Sequence, residues 1–358
     1  MTERLTRRDV LRGLGGLAAA GAIGPVAAPR RAAAQRRFDG ETLRVQFWAG
    51  SEGQTIRSGV VDPFIQKTGA KVVVTEGWTS ASIAKLRAEK ANPSTSVYLM
   101  DDIGVVTGGR ENLLEPLDLA RLPNAVDIQP RFFIDGKGAG FFTYVTGLVY
   151  NTEIVKTPPT SWKELWDPKY KGKIAIPPAG AGPALHMAIV AAMVNGGSQY
   201  NMEPAWEALK ALKPNVAVME QSAAVLAELL RNGEVAIVMR TVYLFKPYIE
   251  KGYPIGISLA MKEGFFGTPG CAAIVKGHPD KRELADAFVN ETLSVDAQTK
   301  MAHSLWFGPT NRKVKLPAEV AKYLVSTQEQ WDAIIPVNLD NLAAHREEWV
   351  QKYTRALL

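Results

Sequence analysis

The sequence has few of the side chains that bind metals or carry redox chemistry. It contains one cysteine, Cys271, and four histidines that lie far apart in the chain. A single thiol cannot form an internal disulfide, and none of the histidines has a second ligand at the spacing of a metal site. We therefore expect no metal and no cofactor. Cys271 lies in an apolar, strand-like run and is expected to be a buried core residue.

Motifs of the common enzyme classes are also missing. The sequence has no Gly-x-Ser-x-Gly nucleophile elbow, no Walker loop and no dinucleotide fingerprint that follows a strand. The glycines within 136–140 have neither the spacing of such a fingerprint nor a helix after them. These absences favour a binding protein over an enzyme.

Positive charge is concentrated at the start of the chain. The formal net charge is +6, and residues 1–34 hold six arginines against two acidic residues, which leaves only about +2 for the other residues. No run of Lys and Arg interleaved with aromatic residues occurs in that remainder. We therefore expect no nucleic-acid partner.

The basic segment has the form of an export signal. Residues Thr6–Arg12 resemble the twin-arginine consensus, and a mildly apolar stretch and the small residues Ala32–Ala34 follow. The stretch is shorter and less apolar than the roughly 20 residues of a membrane span. We expect export by the twin-arginine machinery, cleavage near Ala34 and a mature protein that is free in the periplasm.

The first part of the mature sequence alternates strands and helices. Apolar strand patterns occur at 43–48, 71–75 and 97–100, and helical patterns lie between them. This order predicts an α/β fold with a parallel sheet. Ligands of such sheets bind beyond the carboxyl ends of the strands. The candidate binding residues at those ends are Trp48, Ser51, Trp78, Ser80, Asp101 and Asp102.

The second part repeats this architecture without repeating the sequence. A Gly- and Pro-rich loop at 177–183 precedes an apolar helix at 185–194, and a buried strand at 235–239 is followed by Arg240. Between the two parts, Ser161–Glu164 has the form of a capping box and predicts a short helix that ends before Pro168.

Two Gly-rich segments are expected to be irregular. Residues 49–53 break the first strand pattern, and residues 132–140, with three glycines, have the form of a surface turn before a strand at 141–150. The tail at 317–358 is expected to be helical.

The stretch from Gly147 to Pro177, which contains GLVYN and PPTSWKELWDPKYKGKIAIP, resembles the crossover segment of the extracellular solute-binding proteins of ABC importers, in the spermidine/putrescine-binding branch. The resemblance covers about residues 40–325. It implies a two-lobed periplasmic-binding-protein-like fold, in which each lobe is a mixed sheet flanked by helices, and hinge strands join the lobes around a cleft. The implied divisions are the signal peptide 1–34, lobe 1 (37–146 and 267–314) and lobe 2 (147–266 and 315–358).

The same resemblance implies capture of a small solute, delivery to a membrane permease, and action as a monomer without catalysis. The branch encloses cationic amines with aromatic and acidic side chains. This sequence departs from that pattern, because its second-lobe loop at 178–182 is uncharged and a strand ends in Arg240. A carboxylate or zwitterion is therefore favoured, bound by helix amides and an arginine. The remaining candidate residues are Tyr144, Thr146, Gly180, Gly182, Arg240, Tyr243 and Thr268.

Three alternatives stay open at this point. The first is that the ligand is a polyamine, as in the branch that the sequence resembles. The second is that the chain is an exported enzyme with a cofactor. A ferric-ion site is less favoured, because no adjacent tyrosines occur late in the chain. Arg240 could also form a salt bridge between the lobes instead of binding a ligand.

Overall fold

The computed structural model describes residues 37–357, and the predicted export signal at 1–34 lies outside them. The strands are β1 (Thr42–Phe47), β2 (Lys71–Glu76), β3 (Val97–Asp101), β4 (Phe133–Ile134), β5 (Gly138–Asn151), β6 (Ile174–Ile176), β7 (Val216–Met219), β8 (Ile237–Thr241), β9 (Ile255–Ser258) and β10 (Phe266–Ile274). They form a mixed sheet with the order β2-β1-β3-β10-β5-β8-β6-β7, while β4 and β9 pair with β5.

Helices flank this sheet. The α-helices are α1 (Gly50–Ile56), α2 (Asp62–Thr68), α3 (Thr79–Ala88), α4 (Asp102–Arg110), α5 (Gly182–Met193), α6 (Glu203–Leu212), α7 (Ala223–Arg231), α8 (Lys246–Glu250), α9 (Arg282–Thr292), α10 (Val295–Leu305), α11 (Ala318–Ala321), α12 (Gln328–Asp332) and α13 (Leu339–Leu357). A π-helical turn at Arg57–Val61 connects α1 to α2. Short 3-10 helices occur at Leu119–Arg121, Pro123–Asp127, Pro130–Phe132, Trp162–Trp166, Pro168–Tyr170, Lys213–Asn215 and Val242–Phe245. Among the described residues, no helix is long and apolar enough to cross a membrane.

The predicted parallel sheet is confirmed in both parts of the chain. Strand β1 pairs in parallel with β2 and β3, and β6 pairs in parallel with β7 and β8. Strands and helices alternate here because parallel neighbours need a crossover connection, and a helix follows each of these strands in the chain. Cys271 is fully buried in β10, as predicted.

Strand β5 connects the two parallel parts. Its first half pairs antiparallel with β10, and its second half pairs with β8 and β9. The pairing changes at Thr146, which lies opposite both Phe266 in β10 and Thr241 in β8. Tyr144 and Thr146 are thus held in the middle of a 14-residue strand that is hydrogen-bonded on both sides.

Two predicted loops are regular structure instead. The segment 49–53 was expected to break the chain, but α1 begins at Gly50, whose φ of +75° suits a glycine at the start of the turn. The glycines of 138–140 were expected in a surface turn, but they belong to β5. Gly140 lies there because a Cβ atom would come within 3.0 Å of Phe132. Glycine thus permits a positive φ at Gly50 and close packing at Gly140, and at neither position does it interrupt regular structure.

The predicted capping box at Ser161–Glu164 forms only in part. The Ser161 hydroxyl oxygen accepts from the Lys163 amide at 3.2 Å, but Glu164 accepts from the Thr160 amide at 2.8 Å and not from that of Ser161. The distant Glu263 is the reason, because it accepts from the Trp162 amide and from the Ser161 hydroxyl. The resulting 3-10 helix ends before Pro168, as predicted.

Candidate functional site

A cavity of about 690 Å³ lies where several chain ends meet. Its wall is formed by the carboxyl ends of β3 and β8, the middle of β5, the start of β10, the first turns of α5, and the segment 334–346. Nine of the thirteen predicted binding residues line it. They are Trp78, Asp101, Asp102, Tyr144, Thr146, Gly182, Arg240, Tyr243 and Thr268.

The other four predicted residues lie outside the lining. Trp48 is buried and packs on Phe142, with ring centroids 5.8 Å apart, and Ser80 is exposed on α3. Ser51 donates to Glu52 at 2.9 Å, and the Gly180 carbonyl accepts from Arg346 at 3.4 Å. Glu52 and Arg346 both line the cavity, so Ser51 and Gly180 each contact a lining residue.

Two adjacent carboxyl groups form the acidic end of the cavity. Asp101 ends β3 and accepts hydrogen bonds from the hydroxyls of Tyr144 and, at 3.0 Å, of Thr79. Asp102 begins α4 and accepts from the Ile103 amide at 2.7 Å. Burial raises the pKa of Asp101 despite these hydrogen bonds. Burial and the neighbouring Asp101 raise the pKa of Asp102 to about 7, so Asp102 is close to half-protonated at neutral pH.

Two tyrosines lie next to this acidic end. The rings of Tyr144 and Tyr243 are 6.0 Å apart, and both pack against Phe307. The Tyr243 hydroxyl donates to Glu52 Oε1 at 2.6 Å. Burial and the nearby carboxylates raise the pKa of both tyrosines well above its usual range, so both hydroxyls are protonated donors.

Arg240 and the start of α5 form the cationic end. The Arg240 guanidinium donates from Nε and Nη2 to the Gln221 carbonyl at 3.2 and 2.9 Å. No ion pair within residues 37–357 includes Arg240, so the salt bridge considered above is not formed there. Gly182 opens the 12-residue α5, three residues before the predicted start at 185, and Pro183 follows it in the first turn, where its missing amide is tolerated. The first amides of this helix carry its positive dipole end.

Several lining residues were missed by the sequence analysis. Glu52 directly follows the candidate Ser51 but was not predicted to line the site, because 49–53 was expected to be a break in the strand and not the start of α1. Arg131 donates to the carbonyls of Trp331 and Ile334, and His186 stacks on Phe266 with ring centroids 4.2 Å apart. The segment 334–346 was expected only to be part of a helical tail, and no local signal marks it as a cavity wall.

Metal binding has no support in the part of the chain that the structure describes. Within it, no group of three His, Cys, Asp or Glu side chains is placed to hold a metal ion. The acidic residues of the cavity are instead hydrogen-bonded to tyrosine and threonine hydroxyls and to a backbone amide.

Comparison with known proteins gives one consistent family. The profile of the family described as bacterial extracellular solute-binding protein matches residues 59–325. The gamma-aminobutyric acid-binding protein of Pseudomonas aeruginosa is 26% identical over 336 residues, which cover 90% of this chain and 92% of that protein. The spermidine/putrescine-binding periplasmic protein of Escherichia coli K12 is 24% identical over 304 residues, or 79% and 82% of the two chains.

Solved structures agree with this comparison. The crystal structure of an ABC transporter from Clostridium perfringens superposes with a TM-score of 0.78 at 25% identity. The superposition covers 88% of this chain and all of that one.

Proposed function

Because this chain belongs to the bacterial extracellular solute-binding proteins, we propose that it binds a small zwitterion, with an amino group at one end and a carboxylate or phosphonate at the other. The family match over 59–325 confirms the resemblance expected from residues 147–177. Capture of a small solute for an ABC importer is the common function of the relatives. The two-lobed mixed α/β fold is confirmed by the solved neighbours.

The observation that carries the zwitterion proposal is the presence of opposite charges in one cavity. Asp101 and Asp102 lie at one end, and Arg240 lies near the other. Tyr243 lies within electrostatic range of both ends, because Asp101 raises its pKa and Arg240 lowers it. A solute with both charges can pair with the carboxyl groups and with the guanidinium, and so offsets the cost of removing each from water. A solute with one charge leaves one of these groups buried and unpaired.

Each end suits one functional group of the solute. The Gly182 amide, the positive dipole end of α5 and the Nη1 side of the Arg240 guanidinium suit an acidic group. The carboxyl groups of Asp101 and Asp102 suit an ammonium, which favours their ionised forms. The Pseudomonas relative is named for gamma-aminobutyric acid, which is a zwitterion of this kind.

Polyamine binding is the second candidate, and Glu52 is the observation that favours it. Glu52 adds a third acidic side chain to the lining, and the Escherichia coli relative is named for polyamines. A second ammonium at the far end would, however, lie near Arg240 and the positive end of α5. That repulsion favours the zwitterion.

We also propose that the cavity closes between two lobes, residues 37–146 with 267–314 and residues 147–266 with 315–358. Strand β5 crosses from one to the other, and its change of pairing at Thr146 supports a boundary there. Hinge closure of this kind buries a ligand between lobes and presents a joint surface to a permease.

Export is the remaining part of the proposal. Export by the twin-arginine machinery, cleavage near Ala34 and a monomeric mature protein are proposed from the sequence. A periplasmic location is supported by relatives named as periplasmic proteins. The family consists of transport proteins, so an exported enzyme with a cofactor is not favoured.

A thermal-shift screen tests the proposal. A solute that binds only the folded protein stabilises it by mass action, and at a concentration a hundredfold above Kd the free energy of unfolding rises by about 2.7 kcal/mol. The melting temperature rises accordingly. We expect ω-amino acids or aminoalkylphosphonates to give the largest shifts. Larger shifts with diamines would contradict the zwitterion, and absorbance above 300 nm in the purified protein would instead support the enzyme.

A further inference from the structure

The charged groups occupy only part of the cavity. Pockets that hold drug-sized ligands measure about 300–1,000 Å³, and this cavity of about 690 Å³ lies within that range. A solute as small as 4-aminobutyrate would leave much of this volume unfilled. An apolar surface that faces an unfilled volume loses its dispersion contacts.

The remaining lining is largely apolar. We call it the apolar wall, and its residues come from α5, β10, the chain that leads into α13 and the first turn of α13: Leu185, Phe266, Ile334, Ile335, Val337 and Leu342. His186 belongs to the same side of the cavity and stacks on Phe266. Burial lowers the pKa of His186 to about 4, so its ring is neutral at pH 7 and adds no charge to this side.

Backbone hydrogen bonds hold the apolar wall in place. The Ile335 amide donates to the Phe265 carbonyl at 2.8 Å, and the Phe265 amide donates to the Ala333 carbonyl at 3.2 Å. Arg131 donates to the carbonyls of Trp331 and Ile334. Ile334 also packs against β10, where a Cβ atom on Gly267 would come within 2.8 Å of it. The wall is therefore pre-organised, which reduces the ordering that a ligand must impose.

We propose that the natural solute carries an apolar branch, aliphatic or aromatic, in addition to its amino and acidic groups, and that the apolar wall binds this branch. The inference rests on the zwitterion proposal and deepens it. The branch is attached near the carboxylate or phosphonate of the solute. This follows because Leu185 of the apolar wall lies in the first turn of α5, the turn that begins at Gly182 and is proposed to bind the acidic group.

Calorimetry with matched ligands tests the inference. The set is 4-aminobutyrate, 4-amino-2-isobutyl- and 4-amino-2-phenylbutyrate, which carry the branch next to the carboxylate, and putrescine. Burying an additional aliphatic or aromatic group of this size contributes about 1.5–3 kcal/mol. We therefore expect the branched amino acids to bind about tenfold to hundredfold more tightly than 4-aminobutyrate.

A pair of variants locates the branch. Val337→Thr keeps the approximate shape of a half-buried wall residue but replaces a methyl group with a hydroxyl, so it should reduce severalfold the ratio of the affinities for branched and unbranched amino acids. The matched control is Val225→Thr, on an exposed residue of α7 outside the lining, which should leave this ratio unchanged.

The possible failures are distinguishable. If 4-aminobutyrate binds at least as tightly as its branched derivatives, the apolar branch is wrong and the zwitterion stands. If the branch adds affinity that Val337→Thr leaves intact, the assignment to the apolar wall is wrong. If putrescine binds and no amino acid does, the proposed function fails and this inference fails with it.

Discussion

The Tyr243 hydroxyl donates a hydrogen bond of 2.6 Å to Glu52 Oε1 inside the cavity. The two residues are 191 positions apart and belong to the two proposed lobes. The acceptor is a carboxylate, and hydrogen bonds to charged groups contribute about 1.5–3 kcal/mol. This contact should therefore stabilise the proposed closure of the two lobes around the solute.

Substitution Tyr243→Phe should weaken solute binding about tenfold, because it removes this hydrogen bond and keeps the ring packing against Phe307. The effect should appear as faster dissociation in stopped-flow measurements. The control is Tyr253→Phe, since the Tyr253 hydroxyl donates to Glu228 at the same distance of 2.6 Å but outside the cavity lining. Equal effects of the two variants on dissociation would show that the Tyr243–Glu52 contact has no special part in closure.

Asp102→Asn should change how stability depends on pH. The pKa of Asp102 is raised to about 7 in the folded protein, above the value of about 3.9 in an unfolded chain. Between these values the folded state holds a proton that the unfolded state releases, so the free energy of unfolding falls as pH rises from about 4 to 7. An asparagine keeps the acceptor for the Ile103 amide and removes this loss.

Denaturant unfolding at pH 4 and pH 8 measures this difference. The variant should be more stable than wild type at pH 8, by a few kcal/mol at most because each pKa unit corresponds to about 1.4 kcal/mol, and similar to it at pH 4. Asp39→Asn, at an exposed aspartate, is the control. Binding of an ammonium should also release a proton from wild type near pH 7, which calorimetry in two buffers detects, and Asp102→Asn should abolish that release. Proton uptake would contradict the placement of the amino group.

Gly182 allows a test of the acidic-group site without a change in packing. A Cβ atom on Gly182 meets nothing within 4 Å, and the residue begins α5. Gly182→Asp places a carboxylate at the helix start, which should raise the free energy of unfolding by about 0.3–1 kcal/mol. The same carboxylate should compete with the acidic group of the solute and lower its affinity more than tenfold. Gly182→Ala should leave affinity nearly unchanged.

If Gly182→Asp binds the solute as well as Gly182→Ala does, the acidic group lies elsewhere. Denaturant unfolding and calorimetry on the same two proteins separate a loss of binding from a loss of folding.

Arg131 should hold the segment that precedes α13 in a fixed conformation. Its guanidinium bridges the carbonyls of Trp331 and Ile334, and the single ammonium of Arg131→Lys cannot reach both with the same geometry. We expect faster hydrogen exchange at the Ile335 amide. Arg312→Lys is a matched control, because Arg312 also bridges two carbonyls, of Val126 and Asp127, outside the lining. Unchanged exchange in Arg131→Lys would mean that the wall is held by the strand contacts alone.

The sequence predicted the features that depend on local pattern. Strand periodicity located β1, β2 and β3, and the carboxyl-end rule pointed to Trp78, Asp101 and Asp102. The family resemblance, over about residues 40–325, added Tyr144, and the Gly-rich loop that leads into a helix added Gly182.

Other features depend on contacts between distant segments. The Ile335 amide pairs with Phe265, 70 residues earlier, and nothing in the helical pattern of the tail shows where it docks. The same holds for Glu263, which changes the cap at Ser161 from 102 residues away. The roles of Gly50 and of the glycines at 138–140 could not be predicted, because a glycine that begins a helix with a positive φ, or permits close packing in a strand, looks in sequence like a glycine in a loop.

The zwitterion is tested most directly by calorimetry of three four-carbon ligands, 4-aminobutyrate, butyrate and putrescine, with wild type and Arg240→Ala. We predict that 4-aminobutyrate binds most tightly to wild type, and that Arg240→Ala weakens it at least tenfold while putrescine binds as well or better. Tightest binding of putrescine to wild type, unaffected by Arg240→Ala, would contradict the account.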